Sequence, residues 1–434
     1  MTTVLPIKGL RFNNEMGLNL AQIIAPPYDV ISEELQNAYY EKNPYNVIRL
    51  EYSKSLPGDN YRENKYTRAA AHFKDWLEEG ILLKEEKPAF YLYEQHFSSN
   101  RKNYIRKGFY CGVALSPYKE GKIIPHEETL SQPKVDRLEL LRHCQTNFSP
   151  VFGLYKDKNE LLNNYTEGYK IEQEPVIDFT DDAGQTHKIW TLTDEHLIGV
   201  IKDFFKDKSI YIADGHHRYE TALKFYLEKK DSGPDAEKYG HVLMSLVNIY
   251  DEGLLAFPTH RILTNSGIDS ATLQEKLAAR FTIKELPPAE SRDELKYVLE
   301  KHLTGAAEEN LPIGLYTSEQ KLFILTLKKL AETEKPYPWL DAVILQKLVL
   351  SDIFGLSEAE IKKESGLYYL RDEWEAKQQV DRHQNQAQFA FFLNEPPKEK
   401  IFALAEKGIR LPQKSTYFFP KFVTGLIMLQ LGNV

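Results

Sequence analysis

The segment 209–230 constrains the fold most strongly, because it joins an apolar run to a helical pattern through a short polar turn. Residues 209–213 (SIYIA) are typical of a buried strand, and residues 219–230 (YETALKFYLEKK) have the spacing of an amphipathic helix. Between them lies the turn 214–218 (DGHHR). Strand-like and helix-like segments alternate along the rest of the chain as well, which predicts a mixed fold between the α/β and α+β classes.

Apolar spacing and turn residues predict the other elements. Strands are expected at 22–25, 46–52, 89–97, 104–115, 150–155, 241–250, 311–316 and 321–327. Helices are expected at 33–42, with Ser32 as its N-cap, and at 62–79, 134–146, 270–280, 292–303, 339–350, 384–394 and 397–407. A composition shift after residue 265 predicts two regions. The first, 1–265, is a larger α/β region, and the second, 266–434, is a smaller α+β region whose tail can return to the first.

Length and composition limit the class of protein. With 434 residues, of which 42% are hydrophobic, the chain can bury a sizeable core and is not expected to be disordered. Its formal net charge of −8 disfavours a broad nucleic-acid-binding surface, which needs an excess of Lys and Arg. Cys111 and Cys144 are too few for a disulfide framework, and no apolar run approaches the roughly 18 residues of a membrane span. We therefore expect a soluble cytoplasmic protein.

The turn DGHHR has the components of a phosphate-binding site. Gly215 permits a backbone conformation, or a close approach by a ligand, that a side chain would prevent. The first N–H groups of the following helix have no partner within the helix and attract anions. The Arg218 guanidinium can hold two phosphate oxygens, and His216 and His217 can add hydrogen bonds. The alternative is a structural turn in which Asp214 caps the helix and the histidines are ordinary side chains.

Three carboxylates outside this turn are candidates for a general base or a magnesium ligand. Asp29 follows two prolines in the string APPYDV (25–30), so a stiff turn presents its carboxylate directly after a predicted strand. Glu127 and Glu128 follow another predicted strand and precede a charged helix. The alternatives are an Asx-type turn at Asp29 and solvated first-turn charges at the two glutamates.

Polar groups nearer the end of the sequence could complete the same site. The string QKSTYFFPK (413–421) brings two cations and two hydroxyls into a β-like tail: Lys414, Ser415, Thr416 and Lys421. It lacks the glycines of a P-loop, and an exposed edge strand flanked by lysines explains it equally well. His260 follows a predicted strand and can line the same cleft as DGHHR if the two strands are neighbours.

Five strings spread over nearly the whole chain resemble a bacterial family filed as domain of unknown function 1015. They are IIAPPYDVIS (23–32), NPYNVIRLE (43–51), HEETL (126–130), ADGHHRYETAL (213–223) and LPQKSTYFFPK (411–421). The string DGHHRYETA also resembles the nucleotide-phosphate motif of the ParB/sulfiredoxin-like superfamily, which includes archaeal free-serine kinases. This resemblance implies a ParB/sulfiredoxin-like core with large insertions. It places Gly215, His217 and Arg218 where relatives contact nucleotide phosphates, with Asp214 and His216 beside them.

The resemblance implies a phosphotransferase that uses ATP or ADP with Mg²⁺ and acts on a small hydroxyl substrate, with free L-serine as the leading candidate. The proton of that hydroxyl would pass to one of four carboxylates: Asp29, Glu127, Glu128 or Asp214. Further phosphate contacts are expected from His260, Lys414, Ser415 and Thr416. The alternative is a nucleotide-binding switch without turnover, although the sequence has no basic DNA-reading helix pair. A third interpretation is a structural protein in which the turn binds no ligand.

Overall fold

The structure is a computed structural model that describes residues 1–128, 132–230, 233–303, 311–329, 339–363, 366–395 and 397–432. The chain forms two compact units. The first contains residues 1–125, 129–255 and 420–434, and the second contains residues 126–128 and 256–419. The first unit is therefore assembled from three separate stretches of sequence. The division into two functional regions at residue 265 stays a prediction.

The first unit combines helices and strands. Its helices are α1 (Leu20–Ile23), α2 (Glu33–Lys42), α3 (Ile48–Glu51), α4 (Lys65–Glu78), α5 (Gln132–Cys144), α6 (Leu161–Ile171), α7 (Glu195–Phe205) and α8 (His216–Lys230). Its strands are β1 (Val4–Leu5), β2 (Leu10–Phe12), β3 (Leu82–Lys84), β4 (Phe90–Ser99), β5 (Lys102–Ala114), β6 (Ile123–Pro125), β7 (Thr146–Asn147), β8 (Val151–Tyr155), β9 (Ile177–Thr180), β10 (Thr186–Leu192), β11 (Ile210–Asp214), β12 (His241–Asn248) and β21 (Leu429–Gln430).

The second unit has the same mixed character, and β13 begins one residue before it. Its strands are β13 (Leu255–Phe257), β14 (His260–Thr264), β15 (Phe281–Leu286), β16 (Ile313–Thr317), β17 (Leu322–Leu327), β18 (Leu367–Leu370), β19 (Ala387–Phe392) and β20 (Tyr417–Phe419). Its helices are α9 (Ser270–Ala278), α10 (Arg292–Leu303), α11 (Asp341–Ile344), α12 (Glu358–Lys362), α13 (Glu373–Asp381) and α14 (Lys398–Glu406), and a π-helix, Leu345–Ser351, continues α11. A mixed α and β architecture is therefore confirmed.

A nine-stranded mixed sheet forms the centre of the first unit. Eight of its strands follow the order β6-β11-β8-β12-β5-β4-β10-β9, and β1 also pairs with β5. Strand β11 is parallel to β6 and antiparallel to β8. Helices α5, α7 and α8 contribute Leu141, Phe205 and Phe225 to the apolar core on this sheet. The DGHHR turn thus follows a strand that has a hydrogen-bonded neighbour on each side.

The second unit is built on a six-stranded sheet with the order β15-β17-β16-β19-β14-β18. Its strand pairs are antiparallel. Leu315, Leu325 and Phe391 from this sheet pack with Leu345 and Val349 from the π-helix in one apolar cluster. This unit therefore has its own core.

Local sequence signals explain several elements. Ser32 caps α2, because its hydroxyl accepts a hydrogen bond of 3.2 Å from Leu35 N–H. The strands predicted at 89–97 and 104–115, and at 311–316 and 321–327, are confirmed, and they pair as two antiparallel hairpins, β4–β5 and β16–β17. Among the described residues, no helix combines the length and apolar character needed to cross a membrane.

Three predicted elements are wrong. Segment 22–25 holds the end of α1, segment 46–52 holds α3, and segment 384–394 holds the strand β19. In the second case Leu50 and Glu51 are both buried, so burial does not alternate as a half-exposed strand requires. Strand β19 is an inner strand of its sheet, and an apolar run covered on both faces has the same pattern as a buried helix.

Candidate functional site

The strand–helix junction of the first unit is tighter than the sequence indicates. Strand β11 ends at Asp214 and α8 begins at His216, so Gly215 alone separates them. The predicted turn 214–218 is wrong in its length, because the helix starts three residues before the predicted start at 219. The first helical hydrogen bond runs from Tyr219 N–H to Gly215 C=O over 3.0 Å. The backbone N–H groups of residues 216–218 therefore point out of the N-terminal end of α8, as in the first turn of any α-helix.

Gly215 has a conformation and a neighbour that both favour glycine. Its φ of +87° lies in the left-handed region, where a side chain is strained. A Cβ atom at this position would lie 2.8 Å from Nε of Arg218. The absence of a side chain therefore lets the Arg218 guanidinium fold back over the turn.

The Arg218 guanidinium is held by two acceptors of the first unit. Nη2 donates to Oδ2 of Asp214 over 2.7 Å, and Nη1 donates to the backbone carbonyl of Pro150, which precedes β8. The Arg218 side chain is 11% exposed. Its Nε is buried and has no hydrogen-bond partner within the part of the chain that the structure describes. The guanidinium thus lies at the start of α8 with its direction fixed.

Asp214 is shared between two cations. Its Oδ1 accepts a hydrogen bond from the Lys421 ammonium, while Oδ2 accepts from Arg218. Burial opposes ionisation of Asp214, but Lys421, Arg218 and His216 outweigh burial and lower the pKa of Asp214 to about 2. A carboxylate with such a low pKa is a weak proton acceptor at neutral pH. Asp214 is therefore better suited to holding the two cations than to acting as a general base.

The two histidines of the turn differ in their surroundings. His216 is buried, and His217 is half-buried. Burial lowers the pKa of His217, and Lys134 and Arg218 lower it further, while Glu220 and Asp29 oppose the change. His217 is therefore neutral at pH 7 and offers hydrogen bonds rather than charge.

Asp29 lies on a single 3₁₀ turn, Tyr28–Val30, that begins after Pro27. Its side chain is exposed, and its charge acts on His217. The neighbouring Tyr28 packs against Arg137, with 4.2 Å between the guanidinium carbon and the ring centroid. Burial raises the pKa of Tyr28 to about 12, and the charges of Arg137 and Arg218 act against this rise. Asp29 and the DGHHR turn are therefore close enough to interact electrostatically.

Arg137 belongs to a buried ion-pair network that links α5 to Glu51 at the end of α3. Its Nη1 lies 3.2 Å from Oε1 of Glu51, and its Nη2 lies 2.5 Å from Oδ2 of Asp136. Ser149 also donates to Glu51 over 2.8 Å. Arg137 and Glu51 are 86 positions apart, so no local pattern could have linked them. The network fixes the guanidinium against which Tyr28 packs.

The candidate residues 126–128 and 414–416 lie in the second unit. The Thr416 hydroxyl is 2.8 Å from Nε2 of His126 and donates to Oε1 of Glu127 over 3.0 Å. Glu127 also accepts from Thr416 N–H over 3.1 Å. Two strings that are far apart in sequence, HEE and KST, thus meet through these three side chains. Thr129 and Leu130 of the string HEETL lie outside the described residues.

The remaining candidates of the second unit have structural contacts. The Glu128 N–H group donates to the Leu411 carbonyl over 3.3 Å, and the Ser415 hydroxyl donates to the Pro412 carbonyl over 2.6 Å. Lys414 is exposed.

His260 is buried, and its Nδ1 accepts from Leu393 N–H over 3.3 Å. Burial lowers the pKa of His260 to about 3, so its ring is neutral. A phosphate-binding role for His260, Lys414, Ser415 and Thr416 stays a prediction.

The described carboxylates, histidines and cysteines do not form a metal site. Within the described ranges, no group of three or more such side chains is arranged to hold a metal ion. Both oxygens of Asp214 already accept hydrogen bonds from cations. The described side chains therefore do not fit a metal ion whose ligands all come from the protein.

Comparison with known proteins gives a family and several distant structures. The family described as "Protein of unknown function (DUF1015)" matches residues 4–347. Among curated proteins, none matches the chain. A conserved hypothetical protein from Pyrococcus furiosus is 15% identical with a TM-score of 0.36, and the match covers 74% of this chain and 95% of that chain.

Two further solved structures are similar at the same level. A free serine kinase in complex with AMP is 13% identical with a TM-score of 0.36, over 74% of this chain and 92% of that chain. SbnI with a C-terminal truncation, from Staphylococcus aureus, is 11% identical with a TM-score of 0.34, over 74% of this chain and 87% of that chain. Similarity this low does not relate individual residues to one another.

Proposed function

The chain belongs to the DUF1015 family, and from this premise we propose that it binds a nucleotide through its phosphates at the start of α8 and transfers a phosphoryl group to a small hydroxyl substrate. ATP and ADP are the proposed donors, and free L-serine is the proposed acceptor. We also infer that β11 and α8 belong to a ParB/sulfiredoxin-like core that carries large insertions.

The two cations at the junction carry the proposal. Lys421 and Arg218 each contact one oxygen of Asp214, so a single carboxylate holds both cations in place. They lie beside the N-terminus of α8, where the aligned peptide dipoles add roughly half a positive charge. A phosphate group is an anion of suitable charge and shape for this position.

Asp29 is the proposed general base. Its carboxylate is exposed, lies on a stiff turn and acts electrostatically on His217 of the DGHHR turn. In the proposed reaction, the substrate oxygen forms a bond to the terminal phosphorus of the nucleotide, the bond from that phosphorus to the bridging oxygen breaks, and the hydroxyl proton passes to Asp29. Phosphoryl transfer depends mainly on positioning and charge stabilisation, so cations and one base account for the protein's part. The proposal assigns no step to Mg²⁺.

The proposal is tested in two stages. Thermal unfolding is measured with ATP, ADP, AMP and no nucleotide, since a ligand that binds the folded state raises the unfolding midpoint, and more so the higher its concentration is relative to its Kd. Phosphoserine formation is then measured with ATP or ADP, Mg²⁺ and L-serine. Stabilisation by nucleotide together with phosphoserine formation supports the kinase. Stabilisation without phosphoserine formation excludes L-serine as the acceptor and favours the non-catalytic switch, and no stabilisation by any nucleotide overturns the proposal.

A further inference from the structure

The segment 420–424 is fixed on both sides of Lys421 within the first unit. Before Lys421, the Pro420 carbonyl accepts a hydrogen bond from Nη1 of Arg106. After it, Thr424 N–H donates to the Ala25 carbonyl over 2.7 Å, and Ala25 N–H donates to the Thr424 carbonyl over 3.4 Å. The backbone that carries Lys421 is therefore held at both ends.

Phe422 adds an aromatic anchor to the same segment. Its ring centroid lies 4.1 Å from the guanidinium carbon of Arg106 and 4.7 Å from the ring centroid of Phe152 on β8. Guanidinium–aromatic contacts of this kind are worth more when they are removed from water. Phe422 is buried, so this contact is shielded from solvent.

Arg106 makes this anchoring unusual because it is fully buried and its hydrogen bonds go to neutral acceptors. It is 0% exposed, and it donates to the Pro420 carbonyl and to the side-chain carbonyl of Gln95. Burial lowers the pKa of Arg106 to about 10, which leaves it charged at neutral pH. A buried guanidinium is expensive even though the charge of Asp251 favours it, so an ordinary apolar side chain would hold the segment at lower cost. The cost indicates that the position of this segment matters for more than packing.

The result of this anchoring is the position of the Lys421 ammonium. It contacts Oδ1 of Asp214 while Arg218 contacts Oδ2. Two cations held by the two oxygens of one carboxylate lie close enough for a single phosphate group to contact both. The Lys421 and Asp214 side chains are 14% and 16% exposed, so the pair is only partly shielded from an incoming anion.

We propose that Lys421 is a phosphate-binding residue that acts together with Arg218, and that Arg106 is a positioning residue that acts through the segment 420–424. This inference rests on the proposed function, because it names a further contact to the same nucleotide. Lys421 binds the phosphates as a cation, and Asp214 orients it before the nucleotide arrives. Pre-orientation lowers the entropy that is lost when the flexible lysine side chain is immobilised by a ligand.

The first experiment measures ADP binding by calorimetry for wild type, Lys421→Met and Lys421→Arg. Lys170→Met is the matched control, because Lys170 is 9% exposed and pairs with Glu94, another carboxylate of the first unit. We expect the affinity for ADP to fall roughly 10- to 100-fold in Lys421→Met, the range for a charge-assisted hydrogen bond. We expect Lys421→Arg to restore most of it and Lys170→Met to leave it unchanged.

The second experiment separates positioning from general destabilisation. Arg106→Met is made in the wild-type and Lys421→Met backgrounds, and ADP affinity is measured in each. If Arg106 acts through Lys421, its replacement weakens binding in the wild type and has little further effect in Lys421→Met. A role in stability alone would weaken binding equally in both backgrounds, and that result would overturn the positioning role.

The failures of the two proposals are distinguishable. If wild type binds ADP and Lys421→Met binds it equally well, the phosphate-binding role of Lys421 is wrong while the proposed function stands. If wild type binds neither ADP nor ATP, the proposed function is wrong, and the inference that rests on it is overturned as well.

Discussion

Lys421 forms an ion pair with Asp214, a residue 207 positions earlier in the chain. The pair places a cation from the end of the sequence beside the turn that carries Arg218. Sequence reasoning named Lys421 as one of several polar groups in the tail but had no means of assigning it to this carboxylate. The site is thus defined by a charge arrangement rather than by a contiguous motif.

Arg218→Ala is expected to abolish nucleotide binding while the fold is kept. The substitution removes the guanidinium that faces the N-terminus of α8 and should weaken ADP binding more than about 10-fold. Arg142→Ala is the control, because Arg142 pairs with Glu139 and Glu228 on an exposed surface. Calorimetry measures binding and circular dichroism checks the fold. Wild-type affinity in a folded Arg218→Ala variant would show that the phosphates bind elsewhere.

Gly215→Ala is expected to destabilise the protein by about 1–3 kcal/mol, because the residue would adopt a left-handed conformation. Its new Cβ would also displace the Arg218 guanidinium, which lies 2.8 Å away. Gly199→Ala in α7 is the control, since a Cβ there meets open space. The control should be stabilising by about 0.5–1 kcal/mol, because alanine is the better helix former. Urea unfolding of both variants measures the difference, and equal effects would contradict this explanation.

Asp251→Asn is expected to change how stability depends on pH. Asp251 accepts hydrogen bonds from Lys107 N–H and Gly253 N–H, and burial raises its pKa to about 6. The folded state therefore keeps the Asp251 proton up to a higher pH than the unfolded chain, whose aspartate pKa is about 3.9. Between about pH 4 and pH 6 the folded state binds more protons, so the free energy of unfolding falls as pH rises.

This contribution amounts to about 3 kcal/mol for a shift of roughly two pKa units. Because the unfolded aspartate is already about half ionised at pH 4, wild type should lose about 2 kcal/mol more than Asp251→Asn between pH 4 and pH 7. Urea unfolding at pH 4, pH 5.5 and pH 7 measures this difference. Parallel curves for the two proteins would mean that Asp251 titrates normally.

Glu51→Gln is expected to cost about 3 kcal/mol of stability, because it leaves the buried Arg137 guanidinium with less negative charge beside it. Glu78→Gln is the same chemical change at an exposed pair with Lys74, whose N–O distance is 3.6 Å. That control should change stability by at most about 0.5 kcal/mol. Urea unfolding at neutral pH compares them. A Glu51→Gln variant as stable as the control would mean that the buried pair contributes little.

Asp29→Asn is expected to keep nucleotide binding but to lower phosphoryl transfer by about 10²- to 10⁴-fold, the usual contribution of a general base. Glu127→Gln tests the competing carboxylate in the same assay. Binding is followed by calorimetry and turnover by phosphoserine formation. Full turnover in Asp29→Asn would exclude Asp29 as the base, and a loss confined to Glu127→Gln would assign that role to Glu127.

The parts of the fold that sequence predicts well are those with strong local signals. The N-cap at Ser32, the hairpin β4–β5 and the junction of β11 with α8 each depend on residues within a few positions of one another. The errors arise where tertiary packing, rather than the local sequence, decides between helix and strand. Strand β19 is apolar on both faces because it is an inner strand, and this pattern does not distinguish a strand from a buried helix.

The candidate site also contains residues that local sequence signals predict and residues whose partners only the folded structure shows. Gly215 and Arg218 could be identified from the string DGHHR. The left-handed conformation of Gly215 agrees with the backbone freedom that a glycine provides. The pairing of Lys421 with Asp214 and of Arg137 with Glu51 could not be predicted, since long-range pairs leave no local trace. Arg106 lies in the basic and aromatic string RKNYIRKGFY (101–110), in which no local signal distinguishes this fully buried arginine from the other basic residues.

The discontinuous path of the chain has a consequence for biosynthesis. The first unit needs residues 420–434, which leave the ribosome only after the whole of 256–419 has been made. At about 5–20 residues per second, this delay lasts on the order of ten seconds or more. Until then the Arg106 guanidinium has neither the Pro420 carbonyl nor the Phe422 ring as a partner. Nascent chains should therefore stay sensitive to protease in this unit until the segment 420–434 has been made.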